Sequence, residues 1–274
     1  MHTPRSIQPL LAVTTLCATL MVAGCKPTPP KDATPASNSS AASGSGTAAD
    51  SSRVAVSGPT GSIAGTVSLS GKPPAKIEID TSMDPACGFG HTPLATEQYA
   101  VTNGKLANVF VYVKSGPDAA MHAAPTSSAP AVLDQAGCRY IPHVLGMIAG
   151  GSVEFRNSDP TMHNVHTMPT SGGNKAIDLS MGPRGAAVTK RMDRPESMVP
   201  VRCNNHPWMN AFLNVAPTPF FEVTGPDGKF NLKGLPPGQY VLGAVQEKLG
   251  EKDLNVTVSA DKPAKADFNF AMAH

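Results

Sequence analysis

The chain has 274 residues, 41% hydrophobic and 15% charged, a balance that excludes wholesale disorder and calls for at least one buried core. Lys and Arg number 22 against 20 Asp and Glu, and a formal charge of +2 gives no field strong enough to recruit nucleic acid. The 27 prolines and 25 glycines punctuate the Val-, Thr- and Phe-containing runs too often for long helices, so the ordered part reads as nearly all β.

The first predicted element is an export segment, residues 1–24. Arg5 precedes an apolar stretch from Leu10 to Ala23 that is too short to span a bilayer comfortably. The segment runs into Val22-Ala23-Gly24-Cys25, which resembles the lipobox of bacterial lipoproteins. The resemblance implies removal of residues 1–24, with Cys17 among them, and lipidation of Cys25. It also implies a lipid-anchored place in the cell envelope, periplasmic or at the outer membrane, with Lys26 favouring the latter. Several acyl chains hold a protein firmly, whereas one binds only marginally. Residues 25–60 are Pro, Ser, Ala, Thr and Gly with almost no large apolar side chain, and are expected to form a tether. A flexible coil of that length reaches on the order of 30 Å.

Strand-like runs begin at Gly61–Leu69, where Ile63, Val67 and Leu69 share one face. Further runs are expected at Lys76–Asp80, Gln98–Val101, Asn108–Val113, Ser152–Asn157 and Met198–Arg202, while Thr170–Arg194 lacks periodicity and reads as loop. Many short strands with frequent turns indicate a sandwich or barrel over residues 61–216. Beyond it come Phe220–Val223, Lys229–Leu232, Gln239–Val245, Asp253–Ser259 and Ala266–Met272, separated by Gly/Pro turns. The stretch Asp227–Leu242 resembles the carboxypeptidase regulatory-like, transthyretin-like module, which implies a small β-sandwich at residues 217–274. It carries no zinc-peptidase motif, and so small a unit is expected to pack on its neighbour.

The chemistry concentrates in Cys203-Asn204-Asn205-His206-Pro207-Trp208-Met209, which spaces a thiol, an imidazole and a thioether three residues apart. A tight loop can curl the first two around one ion, with Met209 approaching at longer range. Met162-His163-Asn164-Val165-His166 can supply a further nitrogen from a neighbouring strand. One thiolate, two imidazoles and a distant thioether form the ligand set of a blue-copper site, whereas zinc usually takes a fourth strong ligand.

The two motifs resemble those of the cupredoxins, plastocyanin and especially amicyanin, in the His-Asn-Val run and the short Cys-x-x-His-x-x-Met loop. The resemblance implies a cupredoxin-like Greek-key β-sandwich holding one mononuclear copper ion, with His163, Cys203, His206 and Met209 as ligands. It assigns Asn164 the task of tying the two ligand loops together. Asn205 stands where an amicyanin-like loop carries proline, which leaves an amide hydrogen free to bond the sulfur. His166 competes with His163, but their odd separation on an extended segment points them to opposite faces and the motif selects His163.

With Cys203 given to the metal, Cys87 and Cys138 are left as an expected disulfide closing a loop of about fifty residues, worth a few kcal/mol. A second metal site, from Cys87 with His91 or Cys138 with His143, offers only two ligands in either case, and His143 reads instead as a packed strand residue. Met162, Met168, Met181 and Met198 crowd the region, either as irregular packing or as soft ligands for Cu(I). The expected function is electron transfer with a redox partner protein docking on Trp208, Pro207 and the edge of His206. Copper trafficking or storage, and a non-catalytic envelope interaction module, are the alternatives. An enzyme is not expected, because no nucleophile–base pair or paired carboxylates accompany the motif.

Overall fold

Short apolar–polar alternations ended by Gly, Pro or Asn build strands and little else. A computed structural model describes residues 57–88, 93–125, 127–260 and 262–272 of the chain. The export segment, Cys25, the tether through residue 56 and His91 lie outside the described residues. In chain order the first elements are β1 (Gly61–Ser70), the one-turn helix α1 (Pro85–Gly88), β2 (Val101–Thr102), β3 (Lys105–Leu106), β4 (Phe110–Ser115) and a second single turn, α2 (Asp118–Met121). The central run is β5 (Ala131–Gln135), β6 (Tyr140–Ile141), β7 (Val144–Ile148), β8 (Gly151–Asn157), β9 (His163–Thr167), β10 (Asp178–Met181), β11 (Val188–Met192), β12 (Glu196–Arg202) and β13 (Asn210–Ala216). The last are β14 (Phe221–Val223), β15 (Lys229–Leu235), β16 (Gly238–Gln246), β17 (Gly250–Val258), β18 (Pro263–Lys265) and β19 (Phe268–Ala271). The protein is therefore all-β, as expected.

The central run folds into one two-sheet sandwich. One sheet has the order β10-β9-β12-β13-β7 and the other β11-β8-β5-β6. Parallel pairs β13·β7 and β5·β8 sit among antiparallel ones, so strands distant in sequence become neighbours. Leu133, Tyr140, Val153, Phe155, Val165, Val201 and Leu213 fill the space between the sheets.

A second pair of sheets flanks it. In one, β1 is the hub, paired with β15, β3, β18 and β19; the other has the order β14-β4-β16-β17. Ile63, Val67, Leu106, Phe220, Leu232, Tyr240 and Phe270 are its core. The division expected at 216/217 does not follow these sheets. β1 and β4 precede the central sandwich in sequence yet pair with strands that follow it. Alternation marks β1 as a strand but says nothing about which partner completes its ladder. The two sandwiches meet over Phe110, Val144, Ala216, Phe221 and Val245. Gly146 permits that approach, since a Cβ there would come within 2.8 Å of the Phe221 ring.

Two local expectations differ. Residues 170–194, read as loop, contain β10 and β11. Lys76–Asp80, read as a strand, makes only the single bridge Glu78↔Ala95, and Ile77 is 69% exposed.

Candidate metal centre

β12 and β13 are antiparallel, and the pair Arg202↔Asn210 closes around the loop Cys203–Met209. Main-chain bonds from Cys203 N to Met209 O (3.3 Å) and from Met209 N to His206 O (2.9 Å) tighten that loop into a turn. The other neighbour of β12 is β9, in the register Arg202↔His166, which carries His163 at the start of β9 alongside the loop. The strand ladder thus brings together residues forty positions apart.

His163, Cys203 and His206 converge, with one donor atom from each within 4.8 Å of the others, and all three are buried. The two imidazoles face each other through Nδ1, 2.9 Å apart, and His206 Nδ1 lies 3.6 Å from Cys203 Sγ. Met209 is 1% exposed in the same core and is tied to Cys203 and His206 by the main-chain bonds above. His166 lies on the opposite face from His163, half-exposed, 3.5 Å from Asp178. Asn164 reaches Cys203 through its backbone, whose N–H donates to Sγ at 3.3 Å. Its side chain turns away from the loop and donates to Asp178 Oδ1 (2.8 Å) and the Leu179 carbonyl (3.0 Å) in β10. The tie between ligand loops is therefore a main-chain one.

Two carboxylates complete the centre, and sequence reasoning assigned neither of them. Asp159 accepts from His163 Nε2 at 2.8 Å, and Asp84 accepts from His206 Nε2 at 3.0 Å. With each outer nitrogen engaged as a donor, each Nδ1 is free to present a lone pair inward. The only sequence trace of Asp159 is its place four residues before His163, between the end of β8 and Pro160. Asp84 lies well outside both motifs, and only Pro85 after it, the pattern of a helix start, marks the position.

Burial alone would push the Cys203 thiol up. Hydrogen bonds from His163, the Asn164 N–H, His206 and the Asn205 N–H outweigh it and bring the thiol down to about 6. Burial likewise works against a charged His163, yet the bond to Asp159 and then Cys203 raise it to about 9. Without a metal the pocket is thus a thiolate–imidazolium pair, one proton standing where a cation can stand. Two neutral imidazole nitrogens and a thiolate, converging in a pocket closed to water, fit a soft first-row ion such as copper.

The other sequence-derived residues are placed as follows. Cys87 and Cys138 are joined by a disulfide, and Cys203 is the free thiol among the described residues. His143 is buried between β6 and β7 with Nε2 2.9 Å from Glu247. Met181 is a packing residue whose sulfur accepts from Gln135 Nε2, whereas Met162 is 50% exposed. Pro207 is exposed and Trp208 half-buried, its ring centroid 5.1 Å from that of His206 and its Nε1 donating to the Cys138 carbonyl. The edge of His206, expected in a docking patch, is covered: the residue is 4% exposed.

No protein-family model matches the sequence, and no curated protein does. Solved structures resemble part of it. A copper-containing nitrite reductase from Thermus scotoductus is 19% identical over 48% of this chain and 26% of its own, with a TM-score of 0.29. Only that quarter of the enzyme's length is represented. Amicyanin from Paracoccus versutus is 21% identical over 38% of this chain and 96% of its own, with a TM-score of 0.28. A Cu(I) form of an amicyanin variant is 24% identical over 38% of this chain and 97% of its own, at 0.29.

Proposed function

We propose that this is an exported, lipid-anchored protein whose central sandwich holds one type 1 copper ion and passes single electrons between protein partners. The observation that carries the reading is the meeting of His163 Nδ1, His206 Nδ1 and Cys203 Sγ in one buried pocket, with both outer nitrogens anchored on carboxylates. His163, His206 and Cys203 would hold the ion, with Met209 as the weak fourth donor. The ion supplies a one-electron couple. The chain supplies rigidity: strand pairing fixes the thiol-bearing loop against β9, and the Asn164 N–H directs the sulfur's charge. A pocket that does not rearrange between two charge states is what fast electron exchange requires. The membrane and redox-partner contacts belong to the same proposal.

Adding Cu(II) to the soluble body, residues 57–274, is expected to give an intense visible thiolate-to-copper absorption that Cys203→Ser abolishes. A folded, copper-loaded protein without that band would overturn the type 1 assignment.

Copper trafficking is the second reading, favoured by the exposed thioethers of Met83 (71%) and Met162 (50%), soft donors that suit Cu(I). It prevails if Cu(I) moves to an acceptor protein faster than electrons do.

A further inference from the structure

The disulfide Cys87–Cys138 lies close to both candidate ligand histidines. A sulfur of Cys87, a carboxylate oxygen of Asp84 and a ring nitrogen of His206 fall within 4.8 Å of one another; so do the corresponding atoms of Cys138, Asp159 and His163. Each half of the disulfide is also bonded to one of the two aspartates, Cys87 to the main chain of Asp84 and Cys138 to the carboxylate of Asp159. The Cys87 N–H donates to the Asp84 carbonyl at 2.9 Å, inside the single turn α1. The Cys138 and Gly137 N–H groups donate to the two oxygens of Asp159 at 2.8 and 2.7 Å.

Asp84 is held with unusual completeness for a residue on a short surface turn. Its Oδ1 caps α1 by accepting from the Ala86 N–H at 2.9 Å, with Pro85 next in the chain. Its Oδ2 accepts from Thr161 Oγ1 at 2.7 Å and from His206 Nε2 at 3.0 Å. One turn of helix is marginal by itself. A covalent link at its third residue is what keeps this one in place over the imidazole.

We propose that residues 81–88 form a disulfide-anchored clasp in which Asp84 is the positioning residue for His206. It grips the outer nitrogen, turns Nδ1 toward the metal and closes the ligand edge to solvent and partners. The inference deepens the copper assignment and rests on it. Electrons then leave the centre by a route other than the His206 edge. Trp208, whose ring touches His206 and whose Nε1 is bonded to Cys138, is the half-exposed group best placed to carry them.

The test uses the full chain with its disulfide intact in Asp84→Asn, Asp84→Ala and Asp253→Asn, and absent in Cys87→Ala/Cys138→Ala and its combination with Asp84→Ala. The copper-loaded forms are compared by reduction potential and Cu(II) affinity, and the metal-free forms by the rate at which diethyl pyrocarbonate acylates His206. An anionic acceptor makes the imidazole a stronger donor and favours the oxidised ion. Asp84→Ala is therefore expected to raise the potential, lower Cu(II) affinity about 10- to 100-fold and expose His206 to acylation. Asp84→Asn, which keeps an acceptor oxygen, falls between it and the wild type, and Asp253→Asn changes nothing. The double cysteine variant shifts all three readouts in the same direction, and adding Asp84→Ala to it gives little more, since both break one device.

Wild-type values in Asp84→Asn and Asp84→Ala, or fully additive effects of Asp84→Ala and the cysteine pair, would overturn the clasp. A wild-type protein that takes up no copper would sink the proposed function instead, and the acylation rates would still decide the clasp on their own.

Discussion

At the scale of single residues, the centre near neutral pH is one proton away from being ready for a cation. A metal needs the thiolate and two neutral imidazoles. Between about pH 6 and pH 9 Cys203 has already lost its proton while His163 keeps one, because the pair stabilises the charged form of each. Binding of Cu(I) in that window is expected to release about one proton from His163. Below the lower value Cys203 adds a second, and above the upper value neither contributes. Calorimetry in buffers of differing ionisation enthalpy reads this count directly; a release that stays constant from about pH 5 to about pH 10 would overturn these protonation states. Cys203, His206 and His163 were legible in the sequence because thiol and imidazole chemistry has few uses at such spacing. Asp84 and Asp159 were not, because a carboxylate that grips the far side of a ring can come from any loop the fold brings near, and Asp84 is more than a hundred residues from His206.

Among the elements, β9 and its neighbours do most to shape the pocket. Because the backbone of Asn164 serves Cys203 and its side chain serves β10, the two roles can be separated by mutation. Asn164→Ala keeps the N–H···S bond, so the visible band of the copper form is expected to persist nearly unchanged. The bonds to Asp178 and Leu179 are lost, and the folded state should weaken by about 2 kcal/mol, measured by urea unfolding. Loss of the band with unchanged stability would reverse these roles. β10 also shows why part of the fold escaped the sequence. It and β11 lie at sheet edges; β10 alternates over only the four residues Asp178–Met181, and β11 exposes three consecutive residues, Thr189, Lys190 and Arg191, so no apolar alternation announces it. Ile77 and Ile79 pose the opposite problem. They alternate as a strand should, but the neighbouring backbone meets them at one bridge only.

For the whole molecule, chain order and spatial order part company. The first and last stretches of the described chain share two sheets, and the sandwich that carries the candidate metal centre is inserted between them. Sequence alternation is local, so it cannot report a partner two hundred residues away, as in Val67↔Phe268. The two halves are held by the apolar contact around Phe110 and Phe221 and by one buried polar lock, His143 to Glu247. Both side chains are 4% exposed, and Glu97 lies 3.9 Å from the other ring nitrogen. Burial opposes the charge on His143, but Glu247, Glu97 and the Asn210 backbone overcome it, and its pKa ends above the ordinary histidine value of 6.5.

A group whose pKa is raised by folding contributes stability that is complete below its unfolded pKa and fades as pH climbs through the folded one. The lock therefore acts fully below about pH 6.5 and lets go in the alkaline direction. Removing one partner of a buried pair costs about 3 kcal/mol. Glu247→Ala should accordingly lose that much near pH 6, and the gap to wild type should narrow as the pH rises past the raised value. Thermal melts of the two proteins from pH 5 to pH 9 measure that gap. A difference that stays constant or widens with pH would mean that His143 is neutral in the folded protein and holds Glu247 by a hydrogen bond without charge.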